Sequence, residues 1–338
     1  MSRKTLGVVL VLAVAACGRK ATPASEPSTP AATNGSATVT NGASATNGAS
    51  TTNGAGIVTN DASATNGALA ADGGTTSDLG LGEAIVHVPS RSRPGEKAPL
   101  VVILHGLGAT SAAIDKYSDF AGFADAKGIA WVAPDGPKDK KGRQFWNAGS
   151  TCCNFDGIAI DHVSALRSLI TRATAANPVD RKRVFVVGYS NGGFMAHRLA
   201  CELDGLVAGL VSVAGAGVKP GEPCPAKGPL RVLQVQGDAD NIVSIAGGPL
   251  FSDPSYPSSL PASQTVGDWA KRLECRPGPK AAGTLDFEAK LPGAETKVSR
   301  FEACKRGAVE LWTVGGGGHY IGLRGASYEA MWKFLTGS

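Results

Sequence analysis

Val184-Phe185-Val186-Val187-Gly188-Tyr189-Ser190-Asn191-Gly192-Gly193 decides how this chain is read. Val184 to Val187 is a continuous apolar run, as a strand buried on both faces requires. It enters Gly-x-Ser-x-Gly at Gly188 without a spacer, and the residues from Gly193 to Leu203 carry helical spacing. A strand and a helix joined by so short a turn must approach closely, so small residues are needed at 188 and 192. Such a turn lifts the Ser190 hydroxyl clear of the sheet. It also puts the Asn191 amide at a helix N-terminus, where a developing negative charge is stabilised. The segment reads as a nucleophile elbow, with Ser190 the nucleophile and Asn191 an oxyanion donor.

A serine nucleophile needs a base, and the sequence has five histidines. His87 lies in an expected strand ahead of the core. His105 follows a buried run, in His105-Gly106-Leu107-Gly108, and His162 and His197 fall on expected helices. In α/β-hydrolases the order along the chain is serine, acid, histidine, and only His197 and His319 follow Ser190. His197 is mid-helix. His319 ends Gly315-Gly316-Gly317-Gly318-His319, a loop at a strand's carboxyl end, where open α/β sheets place their sites. His319 is therefore the expected base. Between serine and base, Val232 to Gln236 runs into Gly237-Asp238-Ala239-Asp240, and both aspartates are candidates for orienting the imidazole. A second oxyanion donor belongs to the loop after the third strand. The Leu107 amide is the choice, with Gly106 next, and His105 is read as bonding that loop together.

Outward from the elbow the pattern alternates. Strands are expected at Ala84 to Val88, Leu100 to Leu104, Ala130 to Ala133, Val184 to Val187, Ala208 to Val213, Arg231 to Gln236 and Glu310 to Val314. Helices are expected around Ser118 to Ala126, Asp161 to Ala175, Gly193 to Leu203 and Ala326 to Leu335. Such alternation gives an α/β-hydrolase fold, a mostly parallel central sheet with helices on both faces, over residues 79–338.

The N-terminal part of the 338-residue chain is different in kind. Arg3 and Lys4 precede an apolar run from Leu6 to Ala16 that is too short to span a bilayer, so residues 1–17 read as an export signal. The run ends Val14-Ala15-Ala16-Cys17-Gly18, which resembles the bacterial lipobox, in which the cysteine takes a lipid. Residues 18–78 collapse to Ala, Thr, Asn, Gly and Ser, with Thr-Asn-Gly recurring at Thr33, Thr40, Thr46, Thr52 and Thr65. So little apolar surface cannot offset the entropy of ordering, and the stretch is expected to be a flexible tether. Acylating Cys17 would leave six of seven cysteines in the body, an even number suited to an oxidising compartment. Proximity suggests Cys275 with Cys304 and Cys201 with Cys224, leaving Cys152 and Cys153 as a vicinal pair or two thiols. The expected location is the cell envelope, by a lipid anchor, or the exterior. No His/Cys cluster has zinc spacing. The charge of +5 is scattered, so a nucleic-acid partner is not expected.

Together these features resemble the feruloyl esterase and polyhydroxybutyrate depolymerase group of carbohydrate-esterase family 1. The resemblance rests on Pro99 to Gly106, Trp146-Asn147-Ala148-Gly149 with Cys152-Cys153, Gly188 to Gly193, Cys201-Glu202, Trp269 with Cys275, Cys304, and Gly315 to His319. It implies hydrolysis of an ester through an acyl-enzyme, with no cofactor. It also puts the acid at Asp240, the second aspartate, followed by Asn241-Ile242-Val243. Gln236 stands where the family often has histidine, beside the acid but expected not to touch its role. Tyr320-Ile321-Gly322 follows the base where the family commonly has Trp-Pro. The chain ends one helix after His319, and the expectation leans to feruloyl-type or other soluble and oligomeric esters over crystalline polyester. Residues 248–257 are either a cap bringing Phe251 and Tyr256 to the acyl pocket or a plain surface loop. A serine peptidase of the same fold and a non-catalytic surface lipoprotein are the alternatives.

Overall fold

The computed structural model describes residues 57–58, 76, 79–89, 96–113 and 120–338. The chain divides into two units, Met1–Thr51 and Thr52–Ser338, and every described residue belongs to the second. The expected export signal, its Cys17 and all of the expected tether except residues 57–58 and 76 lie outside the described residues.

The described strands are β1 (Ile57–Val58), β2 (Ala84–His87), β3 (Ala98–Leu104), β4 (Ala130–Pro134), β5 (Val179–Tyr189), β6 (Gly209–Val213), β7 (Leu230–Gly237), β8 (Gly248–Pro249), β9 (Ser258–Ser259), β10 (Lys280–Leu285), β11 (Thr296–Arg300) and β12 (Gly307–Val314). The long helices are α1 (Phe120–Lys127), α2 (His162–Ala176), α3 (Asn191–Glu202), α4 (Ala262–Arg272) and α5 (Gly325–Thr336). One sheet takes the order β1-β2-β4-β3-β5-β6-β7-β12-β11-β10, while β8 and β9 form a separate hairpin. From β4 to β12 neighbouring strands are parallel; β2, β11 and β10 join antiparallel.

The sheet is central because its inner strands are apolar on both faces. All seven residues of β3 are buried. Val102 and Leu104 point into one core with Leu166 and Leu169 of α2, Phe194 of α3 and Trp269 of α4. Val101 and Ile103 point into the other, with Phe120 of α1 and Met331 and Phe334 of α5. This is the α/β-hydrolase architecture that the alternation implies. It aligns the carboxyl ends of β3, β5, β7 and β12 along one edge, from which His105, Ser190, Asp240 and His319 follow.

Three features depart from the sequence expectation. Ile57–Val58, inside the expected tether, pairs in parallel with Ala84 and Ile85, and Thr76 is buried. The pairing takes up the open edge that β2 presents. Helix α4 buries Ala262, Thr265, Val266, Trp269 and Ala270, a helical period masked by Pro257, Pro261 and Gly267. Strands β10 and β11 extend the sheet antiparallel beyond β12; β10 is exposed for most of its length, so it carries no apolar alternation to read.

Candidate active site

Ser190 sits between β5 and α3 with φ 51° and ψ −117°, a positive φ that a side-chain-bearing residue seldom adopts. Neighbouring glycines make the turn possible. A Cβ on Gly188 would lie 2.0 Å from the Gly192 carbonyl oxygen, and one on Gly192 would lie 2.1 Å from that of Leu104. The Ser190 amide is committed to Val213 O at 2.8 Å, which pins the strained residue to β6.

Three side chains from three strand ends meet here. His319 Nε2 lies 2.9 Å from Ser190 Oγ, and His319 Nδ1 lies 2.9 Å from Asp240 Oδ2. With a carboxylate beside Nδ1, that nitrogen carries the proton and Nε2 is free to accept from the serine hydroxyl. Asp240 accepts four hydrogen bonds in all. Its Oδ1 takes the Ile242 and Val243 amides, each at 2.8 Å, and its Oδ2 takes His319 and the side-chain amide of Gln236 at 2.9 Å. Gln236 therefore holds the acid directly, against the expectation that it stands aside. Asp238, the other candidate, accepts from the Gly316 amide at 2.7 Å and so braces the glycine loop that carries His319.

The loop beyond the histidine is held from two sides. Tyr189 donates its hydroxyl to the His319 carbonyl at 2.8 Å and accepts from the Ile321 amide. Burial pushes the Tyr189 phenol above its ordinary range, so it stays protonated and able to donate. Glu288 accepts from the Gly322 amide at 2.8 Å. Tyr189 occupies a variable position of Gly-x-Ser-x-Gly, and nothing in the motif signals its reach; Glu288 precedes the unanticipated β11 and was equally illegible.

Leu107 and Asn191 flank the serine. A Cβ on Gly106 would stand 3.4 Å from Ser190 Cβ, so this loop runs against the serine. Gly108 and Ala109 spend their amides on Gln144 O and Gly106 O, whereas among the described residues the Leu107 amide donates to no protein group. Asn191 opens α3, where the first amides have no intrahelical acceptor. Its buried side chain clamps Trp146, accepting from the Trp146 amide at 2.7 Å and donating to its carbonyl at 2.9 Å. The Trp146 indole donates to the His105 carbonyl at 3.0 Å, which ties the two loops together. His105 donates from Nδ1 to Gly106 O and accepts the Gly136 amide at Nε2; burial lowers its pKa, so it is a neutral brace of the loop.

A cavity of about 930 Å³ opens at Ser190 and His319. Its walls are mainly apolar, with Leu107, Phe123, Ile242 and Leu250 among them, and the Cys152–Cys153 pair faces it. Phe251 and Tyr320 line it at the rim, 40% and 82% exposed. Phe251 meets Tyr256 and Phe155 edge-on at 4.7 and 6.5 Å between ring centres, so residues 248–257 bring an aromatic cluster to the opening. Cys201–Cys224 and Cys275–Cys304 are bonded elsewhere in the domain.

Comparison with known proteins places the chain among hydrolases. A family model described as phospholipase/carboxylesterase matches residues 87–255. Feruloyl esterase B of Piromyces equi is 29% identical over 245 residues, 71% of this chain and 43% of that protein. NocK of Nocardia uniformis subsp. tsuyamanensis is 29% identical over 204 residues, 56% of this chain and 58% of that protein. The chain thus spans about half the length of these curated relatives. Among solved structures, the acetyl xylan esterase from Aspergillus awamori aligns with a TM-score of 0.54 at 16% identity, over 77% of this chain and 96% of that one, a likeness of fold.

Proposed function

The chain belongs to the phospholipase/carboxylesterase family, and on that premise we propose that it is a serine carboxylic-ester hydrolase working through an acyl-enzyme. The observation that carries the reading is the hydrogen-bonded line from Ser190 Oγ through His319 to Asp240.

Ser190 Oγ attacks the ester carbonyl carbon while its proton passes to His319 Nε2. Asp240 stabilises the imidazolium so formed and keeps its Nδ1 proton in place. The carbonyl oxygen, now an alkoxide, is met by the Leu107 and Asn191 amides. The tetrahedral species collapses, the bond to the alcohol oxygen breaks, and His319 returns the proton to that leaving group. Water then repeats the cycle on the acyl-enzyme: its proton goes to His319, the Ser190–acyl bond breaks, and Ser190 regains a hydrogen. No step calls for a cofactor.

A feruloyl-type ester is the preferred substrate class, ahead of hydroxyalkanoate esters. It draws support from the relative named feruloyl esterase B and from the aromatic rim of Phe251 and Tyr320, with Tyr256 packed against Phe251. Export with a lipid anchor at Cys17 is part of the same proposal. Three cysteine pairs in the domain fit an oxidising compartment. A panel of methyl ferulate, acetylated xylan, short p-nitrophenyl esters and hydroxybutyrate oligomers tests the substrate. Methyl ferulate should be hydrolysed with the highest kcat/KM, and Ser190→Ala should abolish all turnover. Faster turnover of hydroxybutyrate oligomers would reverse the preference, and full activity in the alanine variant would remove the nucleophile.

A further inference from the structure

Behind Asp240 runs a line of buried polar side chains that the acyl-transfer scheme does not use. The indole of Trp269 on α4 donates to His197 Nδ1 on α3 at 3.0 Å. An indole N–H can only donate, so Nδ1 accepts and the histidine proton sits on Nε2. Nε2 lies 2.9 Å from Gln234 Oε1 on β7. The Gln234 amide nitrogen donates to Gln236 Oε1 at 3.0 Å and to Gly215 O at 2.9 Å. Gln236, two residues on and on the same face of β7, donates to Asp240 Oδ2 at 2.9 Å and to Val243 O at 2.7 Å. Every hydrogen bond along this line points towards the carboxylate.

We propose that Trp269, His197, Gln234 and Gln236 are positioning residues: a polarised relay that orients Asp240 and sets how strongly it holds the His319 imidazolium. The proposal rests on the reading of Ser190, His319 and Asp240 as the reacting line.

The direction of the relay is enforced at its far end by the indole and at its near end by the carboxylate, which can only accept. Each glutamine amide accepts at one end and donates at the other, and all the side chains involved are buried. Aligned hydrogen bonds in a low-dielectric interior strengthen one another. Burial lowers the His197 pKa to about 4, so the ring stays neutral and keeps both of its roles. The last donor shares Oδ2 with His319, so it draws charge from the same oxygen that the imidazolium needs. Removing it leaves more charge there and holds the imidazolium more tightly. Among the described residues, Asp240, Tyr189 and Tyr320 are the titratable groups in contact with His319.

The test compares the purified chain with Gln236→Met, Gln236→His and Trp269→Phe on a p-nitrophenyl ester, with Ser190→Ala as control. Methionine keeps the length of glutamine without a donor. Histidine can accept at one nitrogen and donate at the other, as the amide does. For Gln236→Met we expect kcat to fall about tenfold with KM nearly unchanged, because the loss is of orientation and not of substrate binding. The acid limb of its pH–rate profile should move up by roughly half a unit. The downfield proton NMR signal of His319 Nδ1–H should shift with it. Gln236→His should restore both, and Trp269→Phe should move the limb in the same direction by less. An unmoved limb and signal in Gln236→Met, or no rescue by histidine, overturns the relay. If Gln236→Met does not fold, an unmoved limb in Trp269→Phe does so. If instead Ser190→Ala retains activity, the fault lies with the reacting line and not the relay.

Discussion

At Asp240 four donors converge on two oxygens, while Asp238, two residues earlier, accepts from the Gly316 amide of the loop bearing His319. An asparagine at 240 cannot accept from all four, and it would force the imidazole into the wrong tautomer. Asp240→Asn should therefore lower kcat by about three to four powers of ten. Asp238→Asn keeps an oxygen for Gly316 and should cost less than about tenfold. Steady-state kinetics on one ester separates the two, and equal losses would contradict the assignment. By position alone both aspartates follow a strand end and stand equal; the family resemblance singled out Asp240, and their partners in the structure separate them. Ser190 and His319 were legible because the glycines around the first and the chain order of the second leave little choice. Gln236 was not, because an amide at a strand tip looks the same whether or not it reaches the next turn.

The elements show what the motif conceals. Gly-x-Ser-x-Gly announces the turn, yet its variable residues, Tyr189 and Asn191, use their side chains to lock the loops on either side. Removing the Tyr189 hydroxyl leaves the Ile321 amide without its acceptor and the His319 carbonyl without its donor. Tyr189→Phe should cost about 1–3 kcal/mol of stability. It should also lower kcat about tenfold by loosening the histidine loop. Thermal melting and kcat measured together check this, and a variant indistinguishable from the parent in both would refute the clamp. The parallel strands were readable as apolar runs and the helices by their period. Their ends were less so: β5 begins at Val179, five residues before its apolar run, through polar residues that a buried-strand pattern cannot flag.

Over the whole molecule, neutral histidines are built into the core. Burial lowers His162 and His197 to about 4 from an ordinary 6.5, and His105 moves in the same direction. Between those values the unfolded chain binds more protons than the folded one, so stability is full above about pH 6.5 and falls as pH drops towards 4. Each of the first two contributes up to roughly 3 kcal/mol to that loss. Asp139 and Asp161, held below the usual carboxylate range, add their own loss only below that window. Urea midpoints should hold level from about pH 7.5 to about 6.5 and decline from there to about pH 4.5, and a series flat throughout would count against neutral burial of these rings.

Every step of the proposed cycle depends on Ser190 Oγ becoming acylated. Labelling with a fluorophosphonate, followed by mass spectrometry of the digested chain, tests this most directly. One adduct is predicted, on the peptide carrying Ser190, and none when His319 is replaced by alanine. A chain that stays unlabelled, or a label on any other serine, would contradict the account.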